Sequence, residues 1–225
     1  MADLLVRLSS ALADHGLLCR GGFHPRPRDG VPGETGTLVL IGNAGPELWR
    51  VFAPQRRDEP HPLDAWTRRV LTALARRFGA RALFPFGGPP SHPFQRWARR
   101  AEAVFPSPVG PLIHPDYGLW HAYRGALAFT DRIALSPRRR RPNPCHSCLE
   151  RPCLAACPVD AFDGAGYDVP ACAAHLLSGA GGDCMDHGCG ARRACPVGTE
   201  YAPETAQARF HMDSFVAARR AAGMR

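Results

Sequence analysis

The sequence predicts an α+β protein in three parts: a helix-and-strand half over residues 1–136, a cysteine-rich half over 137–202 and a closing helix over 203–225. Three observations carry that expectation. Helical and strand periodicities alternate through the first 135 residues, which favours a layered sandwich of helices on a sheet. Eight of the nine cysteines fall between positions 145 and 195. Between the halves, Ser136-Pro-Arg-Arg-Arg-Arg-Pro-Asn-Pro144 holds three prolines and four consecutive arginines and reads as an extended linker.

Taken in order, Leu4, Leu5, Leu8 and Leu12 recur at helical spacing, with Gly16 placed to close that helix. Thr37 to Ile41 is an unbroken apolar run that reads as a buried strand, followed by a glycine turn and a short helix to Phe52. Leu63 to Phe78 is amphipathic, with Asp64 near its start and Arg76 and Arg77 near its end, as the helix dipole favours. Arg81 to Phe84 reads as a second strand and Pro93 to Val104 as a further helix. Beyond the cysteines, Pro203 opens a terminal helix with a narrow apolar stripe of Phe210, Phe215 and Val216.

Composition narrows the classes of function. At 225 residues folding removes roughly 70% of the unfolded chain's surface from water, enough for a sizeable core. No run of 18 apolar residues occurs, and Asp3 and Arg7 interrupt the apolar start, so neither a membrane span nor a secretory signal is expected and the chain reads as cytoplasmic. All 28 basic residues are arginine, which excludes Schiff-base chemistry and a phosphate loop of the GxxxxGK[ST] type. The net charge of +8 comes without an aromatic-interleaved basic stripe, so nucleic acid is not an expected partner. The four-arginine run reads either as a solvated connector or as a docking spot for an acidic electron donor or a polyanion.

An odd number of cysteines bunched in one quarter of a chain without an export signal argues against a disulfide framework and for metal ligands. The first group, Cys145, Cys148, Cys153 and Cys157 followed by Pro158, has the spacing C-x2-C-x4-C-x3-C-P. The bacterial ferredoxin run is C-x2-C-x2-C-x3-C-P, with its fourth cysteine on the other cluster. Here the middle gap is two residues longer, while the ending is the ferredoxin one. The second group is Cys172, then Cys184, Cys189 and Cys195 with a repeated Cys-Pro-Val ending and five nearby glycines that let backbone amides approach sulfur. Eight thiolates make two sets of four, hence two [4Fe–4S] clusters; a pair of all-cysteine zinc sites is the alternative. His146, His175 and His187 lie among the cysteines and read as surface or supporting residues, and Cys19 as a small buried side chain.

The C-terminal arrangement resembles the iron–sulfur part of epoxyqueuosine reductase and its corrinoid-dependent relatives, which place two [4Fe–4S] clusters behind a cobalamin-binding domain. The resemblance implies that Cys145, Cys148, Cys153 and Cys195 hold one cluster and Cys157, Cys172, Cys184 and Cys189 the other. A second segment, Ile113-His-Pro-Asp-Tyr-Gly-Leu-Trp120-His-Ala-Tyr-Arg124-Gly125, is similar to the I-H-P-x-x-G-x-W-x-x-x-R-G stretch of cobalamin-processing proteins of the cobalamin C type. The strand at Thr37–Ile41 is similar to that family's central strand. Together these imply a nitroreductase-like N-terminal domain that holds a corrinoid, with Trp120 and Arg124 as candidate contacts to it. The competing reading of those two is a core tryptophan and an ion-paired arginine. The reductases' G-[RK]-D-Y-H stretch has no match here, so no catalytic residue is assigned; His92, His114 and His121 are the available proton donors.

These readings converge on electron transfer through two clusters to a redox partner protein or a bound cofactor. A corrinoid-dependent reductase and a zinc-stabilised binding protein are the alternatives.

Overall fold

The computed structural model describes residues 2–89, 91–163 and 166–223, and the chain forms mixed helix and sheet, an α+β architecture. It divides into two compact units, one of residues 1–104 with 121–141 and the other of residues 105–120 with 142–225. Residues 105–120, which the sequence reading runs on with the first half, make their contacts in the cysteine-rich unit.

The first unit is built on a four-stranded antiparallel sheet. Its strands are β1 (Leu18–Phe23), β2 (Thr37–Ala44), β3 (Arg81–Leu83) and β6 (His121–Phe129), in the order β1-β2-β6-β3. Every residue of β2 is buried, the apolar run 38–41 and the polar Thr37 and Asn43 alike, as in a strand covered on both faces. Four helices cover the sheet. Helices α1 (Ala2–Ala13) and α4 (Phe94–Ala101) pack on β1, α2 (Glu47–Phe52) on β2, and α3 (Pro62–Arg77) on β3 and β6. Helix α3 buries Leu63, Trp66, Thr67, Leu71, Leu74 and Ala75 along one stripe and turns its arginines outward. Each fully buried leucine there contributes about 1.5–3 kcal/mol.

Helix α4 is shorter than its sequence pattern. It stops at Ala101 because Glu102 is extended and committed to a buried pair: its Oε1 lies 2.7 Å from Nη2 of Arg20, which is 2% exposed. The Tyr123 hydroxyl donates to the same carboxylate at 2.5 Å, and the Arg20 guanidinium stacks on the Tyr123 ring at 5.0 Å. This network joins β1, β6 and the end of α4. It also explains why β1 carries a charged residue and two glycines where an apolar strand would be expected: the Cβ that Gly21 lacks would stand 2.7 Å from the Ala101 carbonyl oxygen.

The second unit opens with a two-stranded ribbon, β4 (Phe105–Pro106) and β5 (Leu112–Ile113), and continues in short helices. These are α5 (Pro144–Ser147), α6 (Pro152–Ala155), α7 (Val169–Leu177), α8 (Gly182–His187) and α9 (Gly190–Arg193), with a terminal α10 (Thr205–Ala221). Prolines in the first turns of α5, α6 and α7 preset the helical φ where no amide partner exists. Asn143 caps α5 by accepting from the Cys145 amide at 3.0 Å, and Asp168 caps α7 by accepting from Ala171 at 2.9 Å. Helix α10 lies against α7 and α8, where Val216 joins Leu176 and Cys184 in a small core. Of the expected stripe, Val216 is buried and Phe215 packs partly against that core.

Candidate metal centre

The eight cysteines 145–195 all belong to the second unit, where four of them line one recess and the other four lie within electrostatic reach of one another. Cys145 lies in α5 and Cys148 directly follows it, Cys153 lies in α6, and Cys195 follows α9; all four thiols line one recess, with Ile113 and Val197 in its apolar wall. The same four act on one another electrostatically. Burial, then the thiols of Cys195, Cys153 and Cys148, push the Cys145 thiol above its ordinary value, and Cys153 is raised by burial, Cys195 and Cys148.

The second set is Cys157 after α6, Cys172 in α7, Cys184 in α8 and Cys189 at the start of α9. Cys172 is pushed up by burial and by the thiols of Cys189, Cys157 and Cys184, and Cys184 by burial and Cys189. Cys157 and Cys184 line a shared cleft together with His175, Asp183 and Arg193. Two close backbone approaches hold these elements together. The Cβ absent from Gly190 would lie 2.9 Å from the Ala156 carbonyl oxygen, and that of Gly181 would lie 2.4 Å from the His175 carbonyl oxygen.

Hydrogen-bond donors face the sulfurs. The Ala161 amide donates to Cys157 Sγ at 3.3 Å, the Gly190 amide bonds to Cys184, and the Tyr167 hydroxyl donates to Cys172. The sequence reading expected amide donors from the glycines but missed Tyr167, which stands five residues before its thiol and carries no motif. Its ring stacks on Phe162 with centroids 4.7 Å apart and planes 15° apart.

Among the described residues, no three His, Cys, Asp or Glu side chains close in tightly enough to hold one metal ion. Soft sulfur donors in sets of four, each facing amide or hydroxyl donors, have the chemistry that an iron–sulfur cluster requires. His146 and His187 are exposed, and His187 Nδ1 stands 3.3 Å from Asp183 Oδ1. Cys19 lies on β1 in the other unit, where burial raises its thiol and Ser9 and Gly21 hydrogen-bond to it.

Trp120 and Arg124 fall in different units. Trp120 is 6% exposed and lies under the guanidinium of Arg192, 4.7 Å from ring centroid to Cζ, while its Nε1 has no hydrogen-bond partner among the described residues. Arg124 on β6 pairs with Asp64 of α3 at 2.7 Å, and its Nε is shielded from solvent without a partner among the described residues. The three candidate proton donors are each engaged locally. His92 stacks on Trp97 at 5.5 Å, His121 Nδ1 lies 3.3 Å from Arg20 Nη2, and His114 Nδ1 accepts from the amides of Asp116 and Tyr117.

No protein-family model and no curated protein matches this chain. Similar folds occur among solved structures. Epoxyqueuosine reductase from Streptococcus thermophilus aligns with a TM-score of 0.54 at 15% identity, over 88% of this chain and 65% of that one. A selenomethionine-labelled epoxyqueuosine reductase gives a TM-score of 0.54 at 15% identity over 91% and 67%. The C. elegans B12-trafficking protein CblC gives 0.54 at 14% identity over 94% and 91%. The likeness is one of fold, and this chain spans about two thirds of the length of the reductases. Among the described residues, no helix is long and apolar enough to cross a membrane.

Proposed function

We propose that this protein carries two [4Fe–4S] clusters and passes single electrons through them to a partner protein or a bound cofactor. The observation that carries this reading is the gathering of eight thiols into two sets of four within one unit. Cys145, Cys148, Cys153 and Cys195 would hold one cluster and Cys157, Cys172, Cys184 and Cys189 the other. When bound, such clusters supply one-electron oxidation and reduction.

The chain's own residues do the rest. Ile113 and Val197 exclude water from one side of the first set, which lowers the local dielectric and favours less charge on the bound group. The Ala161 amide and the Tyr167 hydroxyl withdraw electron density from Cys157 and Cys172 and favour the more reduced state. The test is iron, acid-labile sulfide and zinc per chain on protein purified without oxygen. About eight iron and eight sulfide are expected; about two zinc with no sulfide would overturn the reading and leave a metal-stapled binding protein.

A second reading, a corrinoid-dependent reductase, is favoured by the fold shared with epoxyqueuosine reductase and with a B12-trafficking protein. Within the first unit, Arg124 Nε, shielded from solvent and without a hydrogen-bond partner among the described residues, is a group this chain would offer such a ligand. Titration with cobalamin separates the two: a retained corrinoid with a shifted absorption spectrum supports the reductase, and no binding removes it.

A further inference from the structure

Arg192 lies on α9, three residues after Cys189 and three before Cys195, between one thiol of each set. Its guanidinium is spread over the Trp120 ring, and Nη2 donates to the Leu119 carbonyl oxygen at 2.5 Å. The side chain is half-buried, and its Nε is shielded from solvent and has no partner among the described residues. Among the described residues no carboxylate pairs with it. Burial disfavours its charged form, and the negative group that acts on it in the opposite direction is Cys189.

An arginine keeps its proton under all ordinary conditions, so this charge cannot be avoided by titration. Withdrawing a cation from water is costly unless an anion stands close by. Three acids of this unit are engaged with other arginines: Asp183 bonds Arg193, and Asp186 and Asp213 bond Arg209. A cluster held by four thiolates carries net negative charge, and it gains one more negative charge on reduction. We propose that Arg192 is the half-buried counter-charge of the cluster held by the second cysteine set, and that it raises that cluster's reduction potential. This rests on the two-cluster reading above.

Its neighbour Arg193 provides the contrast. That side chain is exposed, ion-paired to Asp183 and bonded to the Gly188 carbonyl oxygen, so water and a carboxylate screen its charge.

The experiment is a dithionite titration of the anaerobic holoprotein, followed by absorbance and by the spin signals of the two clusters. Iron and sulfide are counted first; a wild type without eight of each would sink the two-cluster reading itself, before any variant is compared. With the clusters present, Arg192→Gln is expected to move one couple to lower potential and leave the other nearly in place. Arg193→Gln is expected to produce a clearly smaller shift, and Arg192→Lys to restore most of the wild-type value. An unmoved couple in Arg192→Gln, or equal shifts in Arg192→Gln and Arg193→Gln, would overturn the inference. Should Arg192→Gln bind less iron, Arg192→Lys decides. Full iron and a wild-type couple support the role of charge, and loss of iron there too assigns Arg192 to packing alone.

Discussion

Gly118 and Val197 meet backbone to backbone: a Cβ on Gly118 would stand 1.8 Å from the Val197 carbonyl oxygen. The contact is reciprocal one residue on, where a Cβ on Gly198 would stand 2.4 Å from the Tyr117 carbonyl carbon. Both glycines have positive φ, +55° and +70°. Paired amide bonds at 2.9 Å between His114 and Gly118 close the loop on one side. Tyr117 seals it, stacked on His114 at 4.4 Å and edge-on to Tyr201 at 4.9 Å. Cys195 is two residues before Val197, so this interlock determines where its thiol points.

The first prediction follows from that contact. Gly118→Ala cannot be accommodated without displacing residues 196–198, and overpacking of this kind costs about 1–3 kcal/mol. The expected result is a lower melting temperature and loss of iron from the set that contains Cys195, with the other set retained. Gly110→Ala is the control, because Gly110 also has positive φ, +95°, but a Cβ there meets nothing within 4 Å. If the two variants lose iron and melting temperature equally, the strain lies in φ and the interlock has no role.

Cys157 tests the partition of the thiols. It follows Cys153 by four residues, yet its electrostatic partners are in the second set, where Cys172 and Tyr167 both register it. Cys157→Ala is expected to lose about half the iron, the signal of the second cluster disappearing and that of the first weakening, because Cys153 and Cys195 stand on adjoining turns. Cys148→Ala should remove the complementary signal. Unchanged iron in Cys157→Ala removes Cys157 from the ligands.

Much of this was readable from residue order, for identifiable reasons. The helices α1 and α3 and the strand β2 have strong single-period patterns, and tertiary packing had nothing to override. Strand β1 was not readable, because its pattern is governed by the buried Arg20–Glu102 pair and by the close approach of Ala101, partners some 80 residues away. Strand β6 was hidden in the same way: Arg124 reads as a candidate cofactor contact in sequence, and in the fold it bonds Asp64, while its neighbour Tyr123 bonds Glu102. The number and order of the cysteines were plain, but their supports were not. Arg192 and Tyr167 reach the centre through folded contacts that no spacing encodes.

Asp29 supplies a pH dependence in the first unit. Burial by itself would raise its carboxyl, but the Arg26 amide at 2.6 Å and the Arg100 guanidinium prevail and hold it below the usual carboxylate range. Its carbonyl oxygen accepts from Trp97 Nε1 at 2.8 Å, so the residue pins a turn to α4. A carboxyl whose pKa is depressed by folding stabilises fully above the unfolded value near 3.9, and that stabilisation is lost as pH falls through the folded value. Asp29→Asn is therefore expected to cost about 1–3 kcal/mol near pH 7 and to flatten the loss of stability below about pH 4. Urea unfolding followed by tryptophan fluorescence at a series of pH values measures both. Parallel curves for wild type and variant would remove Asp29 from the acid transition.

Tyr167→Phe isolates one hydrogen bond at the second thiol set. Burial first, and then the thiols of Cys172, Cys189 and Cys157, hold the Tyr167 phenol far above its usual range, so it is a donor at every working pH. Phenylalanine keeps the stack on Phe162 and removes only the donor to Cys172. Hydrogen bonds to ligating sulfur stabilise the more negative, reduced cluster. The expected outcome is full iron content, a nearly unchanged melting temperature and one couple displaced to lower potential. The displaced couple should be the one that Arg192→Gln moves, since Cys172 and Cys189 belong to the same set. Displacement of the opposite couple would separate Cys172 from Cys189 and require a different division of the eight thiols.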